Sequence, residues 1–288
     1  MDFSGLSDFN SAQKGKPLKG SIAVIFIEDD LEVESTLAHH VALGFHYILV
    51  LGQQLPPISD DILTEVITIS YNTLQKNAVS AAINHLMPYT DGAWVFTCFN
   101  AEYLYFPFSE TRNFNELVSF HAVERRDSML CYVVDIYAGD LSASLNGVDR
   151  LDPYLDKSGY YALARWDAKE RVNKERQQDF FGGLKWRFEE FVPPDKRRID
   201  RIAIFRAKQG LTMRDDFTFS DQEYNTYSCP WHNNVTAAIV SFRTAKALRH
   251  NPLPREHTND FKWFNSVRFT WSSQQLLDLG LIEPGQWF

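Results

Sequence analysis

The sequence of 288 residues is poor in cysteine, in long apolar runs and in excess positive charge, and each shortage excludes a class of protein. Its three cysteines, Cys98, Cys131 and Cys229, are widely spaced and form no Cys-x-x-Cys pair, which predicts core thiols rather than disulfides or a zinc site. No window offers about eighteen uncharged apolar residues, so we expect no transmembrane segment. The net charge of −8 predicts no general binding to nucleic acid, which requires a basic face.

Several sequence motifs of well-known enzymes are also absent. There is no Gly-x-Gly-x-x-Gly after the first predicted strand and no Gly-x-x-x-x-Gly-Lys-Ser/Thr, so neither a dinucleotide-binding nor a P-loop protein is supported. No Gly-x-Ser-x-Gly elbow and no His-Glu-x-x-His pair occur either. Residues 1–20 contain no apolar core of a secretion signal, so we expect a cytoplasmic protein.

The apolar pattern predicts an α/β fold. β-Branched runs at 21–27 and 47–51 flank a helical pattern at about 31–43 that ends at Gly44, which indicates a parallel, right-handed βαβ unit. Further strands are predicted at 65–71, 94–99, 129–137, 201–207 and 237–242, and further helices at 74–87, 113–125 and from a Ser272 cap to Gly280. Asn113 and Glu116 form a capping-box pattern at the start of the helix at 113–125. We therefore expect a doubly wound, mostly parallel sheet flanked by helices, with an irregular C-terminal region.

The predicted domain organisation is simple. We expect a flexible N-terminal arm over residues 1–20 and a single domain over 21–288. Within that domain we expect two halves, residues 21–137 and residues 138–288. Residues 138–200 carry charged runs without clear periodicity, which predicts an irregular flap.

Polar residues follow the predicted strands, where open α/β sheets bind their ligands. These residues are Glu28, Asp29 and Asp30, Gly52 and Gln53, Asn100 to Glu102, and Asp135. An acid cluster at strand ends suits a divalent cation that holds a diphosphate, because Mg²⁺ and Mn²⁺ prefer carboxylate oxygens. A structural interpretation stays open, in which the first acids cap the following helix and Asp135 pairs with an arginine.

Basic and aromatic residues supply further candidates. Lys185 and Arg187, with Arg197 and Arg198, either neutralise a pyrophosphate or an anionic acceptor, or belong to a solvated loop. His232 lies in the segment CPWHNN, which suits a polar ligand site or a structural loop. Four tryptophans either stack on sugar faces or pack in the core: Trp166, Trp186, Trp231 and Trp263.

Five segments together resemble the bacterial glycosyltransferase family 2-like proteins, which have a GT-A fold. The segments are IFIEDD followed by LAHHVALGFHYILVL (25–51), WVFTCFNAEYLYFP (94–107), VVDIYAGD (133–140), GGLKWRF (182–188) and AAIVSFRT (237–244). The resemblance implies a GT-A-like doubly wound sheet, a nucleotide-sugar donor and a glycan acceptor. It implies that residues 21–137 form the nucleotide-binding half of the domain and residues 138–288 the acceptor half. It also implies a place in polysaccharide or lipopolysaccharide synthesis.

The sequence departs from this family at the metal site. The family's Asp-x-Asp carries the cation and the donor diphosphate, whereas Phe99 and Ala101 stand at these two positions and only Glu102 persists. Ile27 replaces the Asn of the family's Asn-Glu turn, which leaves Glu28. Neither Phe nor Ala binds a cation, so we expect no Mg²⁺ or Mn²⁺ and no metal ligand. Without the cation, the leaving nucleotide loses several kcal/mol of electrostatic stabilisation.

Three functions therefore stay open, and with them the question of whether the protein is an enzyme. The first is a metal-independent glycosyltransferase with Lys185, Arg187 or His232 in place of the cation. Asp135 or Glu102 is then the base that acts on the acceptor hydroxyl. The second is an inactive relative that binds a sugar, nucleotide or glycan. The third is a protein-interaction module built on the same scaffold.

Overall fold

The computed structural model describes residues 1–13, 16–229 and 232–287 and shows an α/β protein with a large mixed, mostly parallel central sheet flanked by helices. The strands are β1 (Asp2–Phe3), β2 (Ser21–Phe26), β3 (Tyr47–Gly52), β4 (Ile67–Ser70), β5 (Trp94–Phe99), β6 (Glu102–Tyr105), β7 (Ser128–Ala138), β8 (Pro153–Asp156), β9 (Tyr161–Asp167), β10 (Val172–Phe181), β11 (Asp200–Arg206), β12 (Ala237–Ser241) and β13 (Ser266–Arg268). The helices are α1 (Leu6–Ala12), α2 (Val33–Ala42), α3 (Asp60–Glu65), α4 (Ala78–Leu86), α5 (Phe114–Val123), α6 (Gly183–Arg187), α7 (Arg243–His250), α8 (Pro252–His257) and α9 (Ser273–Asp278). Within the described ranges, none of these helices has both the length and the apolar composition that a membrane span requires.

The chain divides into two compact units, each made of three segments. The first unit comprises Met1–Tyr103, Thr111–Leu130 and Arg201–Asn225. The second unit comprises Leu104–Glu110, Cys131–Asp200 and Thr226–Phe288. The halves expected from the sequence, 21–137 and 138–288, do not coincide with these units, because residues 201–225 belong to the first.

The strands of the first unit lie in the order β1-β4-β3-β2-β5-β11. They are parallel except for β11, which runs antiparallel to β5. Every residue of β2 and β5 is buried, as expected for continuous apolar runs in a parallel sheet. Phe26 pairs with Phe99 at the carboxyl ends of these two strands, so the loops that follow them are neighbours.

Residues 1–20 differ from the loose arm that the sequence predicts. Strand β1 pairs in parallel with β4, and Phe9 in α1 is fully buried. The ring of Phe9 meets that of Phe3 edge-on, with 5.3 Å between their centroids. Apolar residues are sparse in this segment, and the pairing with β4 is a tertiary contact that local sequence does not encode. Lys14 and Gly15 lie outside the described residues.

The second unit is also more regular than the sequence predicts. Strand β7 pairs in parallel with β12 and antiparallel with β8, which pairs with β13. Strands β9 and β10 form a two-stranded hairpin, so the expected irregular flap at 138–200 is largely replaced by strands and by α6. The register of this hairpin shifts between Asn173 and Gln178, which interrupts the period-two pattern that would have revealed it.

Several predictions of local structure are confirmed. Strand β5 has the predicted bounds, and α5 begins with the predicted capping box of Asn113 and Glu116. The Ser272 hydroxyl accepts a hydrogen bond from the Gln274 amide at the start of α9. Helix α2 begins at Val33, two residues later than predicted, and α3 was not predicted. These errors lie at helix ends and in a short element, where sequence patterns are weakest.

We expect Phe9→Ala to lower the free energy of unfolding by about 3–5 kcal/mol, because removing a buried ring leaves a cavity. Equilibrium chemical denaturation measures the change. The control is Val123→Ala, which shortens a side chain that is 78% exposed and should change stability by less than about 0.5 kcal/mol. Equal effects of the two substitutions would contradict the docking of α1.

Candidate functional site

Asn100 follows β5 and joins the turn after β5 to the turn after β2 within the first unit. Its Oδ1 accepts a hydrogen bond from the Glu28 amide at 2.9 Å. Its Nδ2 donates to Asp29 Oδ1 at 2.7 Å and to the carbonyls of Asp29 and Leu31 at 3.1 and 2.9 Å. Asn100 is fully buried. The structure therefore brings the predicted residues Glu28, Asp29 and Asn100 together, and Asn100 links the two turns.

Glu102 lies in a buried ion pair with Arg201. Its carboxylate accepts from the two terminal nitrogens of Arg201 at 2.8 and 3.0 Å and from the Phe99 amide at 3.0 Å. The two side chains are 0% and 7% exposed. The guanidinium carbon lies 5.4 Å from the ring centroid of Phe99 and 5.0 Å from that of Phe217. Glu102 thus holds this turn together, a role that differs from the base expected from the sequence.

Packing fills the two positions where the resemblance implies metal ligands. The Phe99 side chain is buried against Phe26, with ring centroids 5.8 Å apart. Ala101 is fully buried, and its amide donates to the Thr36 hydroxyl at 2.9 Å. Its φ of 60° is a left-handed conformation that costs an L-residue about 1–2 kcal/mol. A carboxylate introduced at position 101 would therefore be buried in a tight turn.

Asp135, near the end of β7, is the predicted acid of the second unit and is only 1% exposed. Its Oδ2 accepts a hydrogen bond from the Lys185 amide at 3.3 Å, which places the start of α6 beside β7. Gly183 permits this approach, because its φ is 62° and a Cβ there would lie 2.9 Å from Asp135 Oδ2. No well-formed hydrogen bond from the described residues reaches Oδ1.

Burial raises the pKa of Asp135 to about 6, because the charged form loses its hydration. The Lys185 charge and the nearby Thr244 hydroxyl lower the pKa in part, and Asp156 raises it. A carboxyl group with a pKa near neutrality suits proton transfer at neutral pH. Asp135 is therefore a buried carboxyl group that changes its protonation state near neutral pH.

Asp156, at the end of β8, is a second buried acid of this unit and was not predicted. Its Oδ1 accepts hydrogen bonds from the Tyr137 hydroxyl at 2.6 Å, the Trp263 indole at 2.8 Å and Arg187 at 3.1 Å. The Arg187 guanidinium also lies 4.6 Å from the Trp263 ring centroid and donates to the Phe261 carbonyl. Arg187, which we expected to face an anionic ligand, is held by Asp156.

The other predicted basic residues of this unit also have internal partners. Lys185 lies beside Asp135, and its Nζ donates to the Arg198 carbonyl at 3.0 Å. Arg198 pairs with Asp200 at 2.7 Å. Arg197 donates to two nearby backbone carbonyls. The predicted phosphate-binding cluster is therefore largely neutralised within the unit.

His232 lies in a turn with Cys229. Its Nε2 is 3.6 Å from Cys229 Sγ, and its carbonyl accepts from the Cys229 amide at 3.2 Å. Trp231, for which the sequence leaves open both a role in a ligand site and a structural role, lies outside the described residues. Trp166 and Trp186 are 58% and 40% exposed, so neither is a core residue.

Asp156 and Arg201 were missed for different reasons. Asp135 was selected because it lies near the end of a predicted strand. Asp156 also ends a strand, but residues 138–200 were predicted as irregular, so no strand was predicted there. In the sequence, Arg201 is the first residue of the strand predicted at 201–207, and no role was assigned to its side chain. Its partner Glu102 lies 99 positions earlier, and no local pattern predicts that pairing.

Breaking the buried pair should destabilise the protein strongly. We expect Arg201→Met to lower the free energy of unfolding by about 3–5 kcal/mol, because Glu102 stays buried without its cation. Adding Glu102→Leu should recover much of the loss. The control is Arg206→Met. The Arg206 side chain is 50% exposed and lies 3.7 Å from Asp127, so this substitution should lower the free energy of unfolding by only about 0–1 kcal/mol. Denaturation curves in which both arginine variants behave alike would contradict a structural role for the pair.

The raised pKa of Asp135 predicts a pH-dependent stability. The folded protein binds this proton more tightly than the unfolded chain, so Asp135 reduces stability as pH rises from about 4 to about 6. Asp135→Asn removes this loss. The free energy of unfolding of the variant, relative to that of the wild type, should therefore rise by on the order of 2–3 kcal/mol between pH 4 and pH 7.

Denaturation at a series of pH values measures this gain, with Asp195→Asn, an exposed acid, as the control for the change in net charge. A difference between Asp135→Asn and wild type that does not vary with pH would contradict the assignment.

No protein-family model matches this sequence, and no curated protein matches it significantly.

Proposed function

We propose that the protein is a GT-A-like member of the glycosyltransferase family 2-like group that transfers a sugar from a nucleotide-sugar donor to a glycan acceptor without a divalent metal ion. The observation that carries the proposal is Asp135, a buried carboxyl group with a pKa of about 6 and an Oδ1 that no well-formed hydrogen bond from the described residues satisfies. Further support comes from the order of the five segments that resemble the family and from the α/β architecture with its mostly parallel sheet.

The role proposed for Asp135 is that of a general base. The acceptor hydroxyl oxygen attacks the anomeric carbon of the donor sugar while its proton passes to Asp135. The bond from that carbon to the phosphate oxygen breaks, and its electron pair leaves with the nucleotide. With a pKa of about 6, the carboxyl group is mostly ionised at pH 7 and still basic enough to accept the proton.

A second candidate is a catalytically inactive relative that binds a glycan or a nucleotide, or that serves as a protein-interaction module. The Glu102–Arg201 pair favours this candidate. At the positions where the resemblance implies a metal ion, the charges satisfy one another and Phe99 and Ala101 are buried. In this candidate the turn after β5 only stabilises the fold.

A panel of uridine, guanosine and cytidine nucleotide sugars tests the proposal by thermal shift, with Mn²⁺ and with EDTA. We expect at least one donor to raise the melting temperature equally in both conditions, because a ligand that binds the folded state stabilises it. Stabilisation by none of them would overturn the proposal, and stabilisation only with Mn²⁺ would contradict metal independence.

Activity separates the two candidates. With the donor that binds, Asp135→Asn should reduce nucleotide release by about 10²–10⁴-fold, the usual contribution of a general base, while the donor still raises the melting temperature of the variant. Asp195→Asn, which changes an exposed acid, should leave the rate unchanged. Donor binding without turnover in the wild type would favour the inactive relative.

A further inference from the structure

We infer that Tyr160 is a substrate-binding residue whose hydroxyl, together with Asp135 Oδ1, binds one hydroxyl group of a sugar acceptor. The inference rests on the proposed function, which assigns the base without identifying what orients the acceptor. Tyr160 lies between β8 and β9 in the second unit and was not selected by the sequence analysis.

Two buried oxygen atoms point to this site. Oδ1 of Asp135 and the hydroxyl oxygen of Tyr160 are both buried, and no well-formed hydrogen bond from the described residues reaches either atom, although the Thr244 hydroxyl lies near the Asp135 carboxylate. Leaving such a group unsatisfied costs about 1–3 kcal/mol, and most buried side-chain polar atoms are bonded. A catalytic or ligand-binding role is one of the few explanations for such atoms.

Gly182 lies against the ring of Tyr160, and the next residue, Gly183, lies against the carboxylate of Asp135. A Cβ on Gly182 would collide with the ring of Tyr160, and a Cβ on Gly183 would lie 2.9 Å from Asp135 Oδ2. Consecutive residues of one backbone therefore contact the Tyr160 ring and the Asp135 carboxylate. Burial raises the pKa of Tyr160, and the charges of Asp156 and Asp135 raise it further, so the phenol stays protonated at neutral pH.

The chemistry of these groups selects a neutral hydroxyl as the ligand. A protonated phenol donates a hydrogen bond, and an ionised carboxylate only accepts. The oxygen of a single sugar hydroxyl can accept from Tyr160 while its proton points to Asp135 Oδ1, which is the proton that the base removes. A phosphate lacks that proton and would be repelled by Asp135 and Asp156.

An exposed aromatic side chain lies beside the same loop. Trp186 is 40% exposed, and its indole would be 3.5 Å from a Cβ at Gly159, the residue before Tyr160. Binding sites of small ligands combine an aromatic wall with a few convergent polar groups. Trp186 supplies such a wall, and its flat apolar face suits the C–H face of a sugar ring.

Tyr160→Phe tests the inference, because it removes only the hydroxyl and keeps the ring against Gly182. The probes are the methyl glycosides of glucose, galactose, mannose and N-acetylglucosamine, observed by saturation-transfer NMR with the full chain. We expect at least one to bind the wild type and its affinity to fall about tenfold in Tyr160→Phe, as for the loss of one hydrogen bond. Tyr161→Phe is the matched control, because the neighbouring Tyr161 is 44% exposed, and it should bind like the wild type.

Stability distinguishes a ligand-binding hydroxyl from a structural one. Tyr160→Phe removes a buried group that has no partner, so its melting temperature should equal or exceed that of the wild type. A clearly lower melting temperature would show that the hydroxyl stabilises the fold, and would overturn the inference. So would equal glycoside binding by Tyr160→Phe and wild type, or no binding of any glycoside by the wild type.

The donor panel separates failure of this inference from failure of the proposed function. In one outcome, a donor raises the melting temperature of the wild type, but Tyr160→Phe binds glycosides as the wild type does. This outcome would overturn the role of Tyr160 and retain the transferase. In the opposite outcome, no donor raises the melting temperature, but glycoside binding depends on the Tyr160 hydroxyl. This outcome would overturn the transferase and support the sugar-binding role of Tyr160.

Discussion

The buried Glu102–Arg201 ion pair is the interaction on which the turn after β5 depends. Removing two charges from water is costly, and their attraction compensates only when the remaining hydrogen bonds are also made. Here the pairing is bidentate, the Phe99 amide satisfies the carboxylate further, and two aromatic rings cover the guanidinium. Because both charges are satisfied internally, this turn serves the fold of the first unit.

The second unit contains two buried acids whose environments differ. Asp156 accepts from Arg187, Tyr137 and Trp263, so its charge is compensated. Asp135 accepts the Lys185 amide and lies near the Thr244 hydroxyl, but the loss of hydration on burial outweighs both and raises its pKa. Catalytic sites characteristically contain pairs of titratable groups whose environments move their pKa values apart. This contrast is the physical basis for proposing Asp135, rather than Glu102, as the base.

Elements with strong local sequence patterns are the ones that the sequence predicts correctly. Strands β2 and β5 were predicted because six consecutive buried residues in each are apolar or small. The start of α5 was predicted because a capping box is a local hydrogen-bond pair. Strand β1 and the β9–β10 hairpin were missed, since the first depends on pairing with a distant strand and the second has an irregular register.

By itself, the sequence determined the α/β pattern, the absence of the acids that an Asp-x-Asp metal site needs, and the position of Asp135 at a strand end, because these depend on residue identity and local spacing. Only the tertiary structure decided which polar groups are satisfied. It paired Glu102 with Arg201, placed Asn100 across two turns, and brought Asp156 and Tyr160 near Asp135. Desolvation and hydrogen bonding act through space between residues far apart in the chain, so the charge and availability of each acid emerge only when the fold surrounds it.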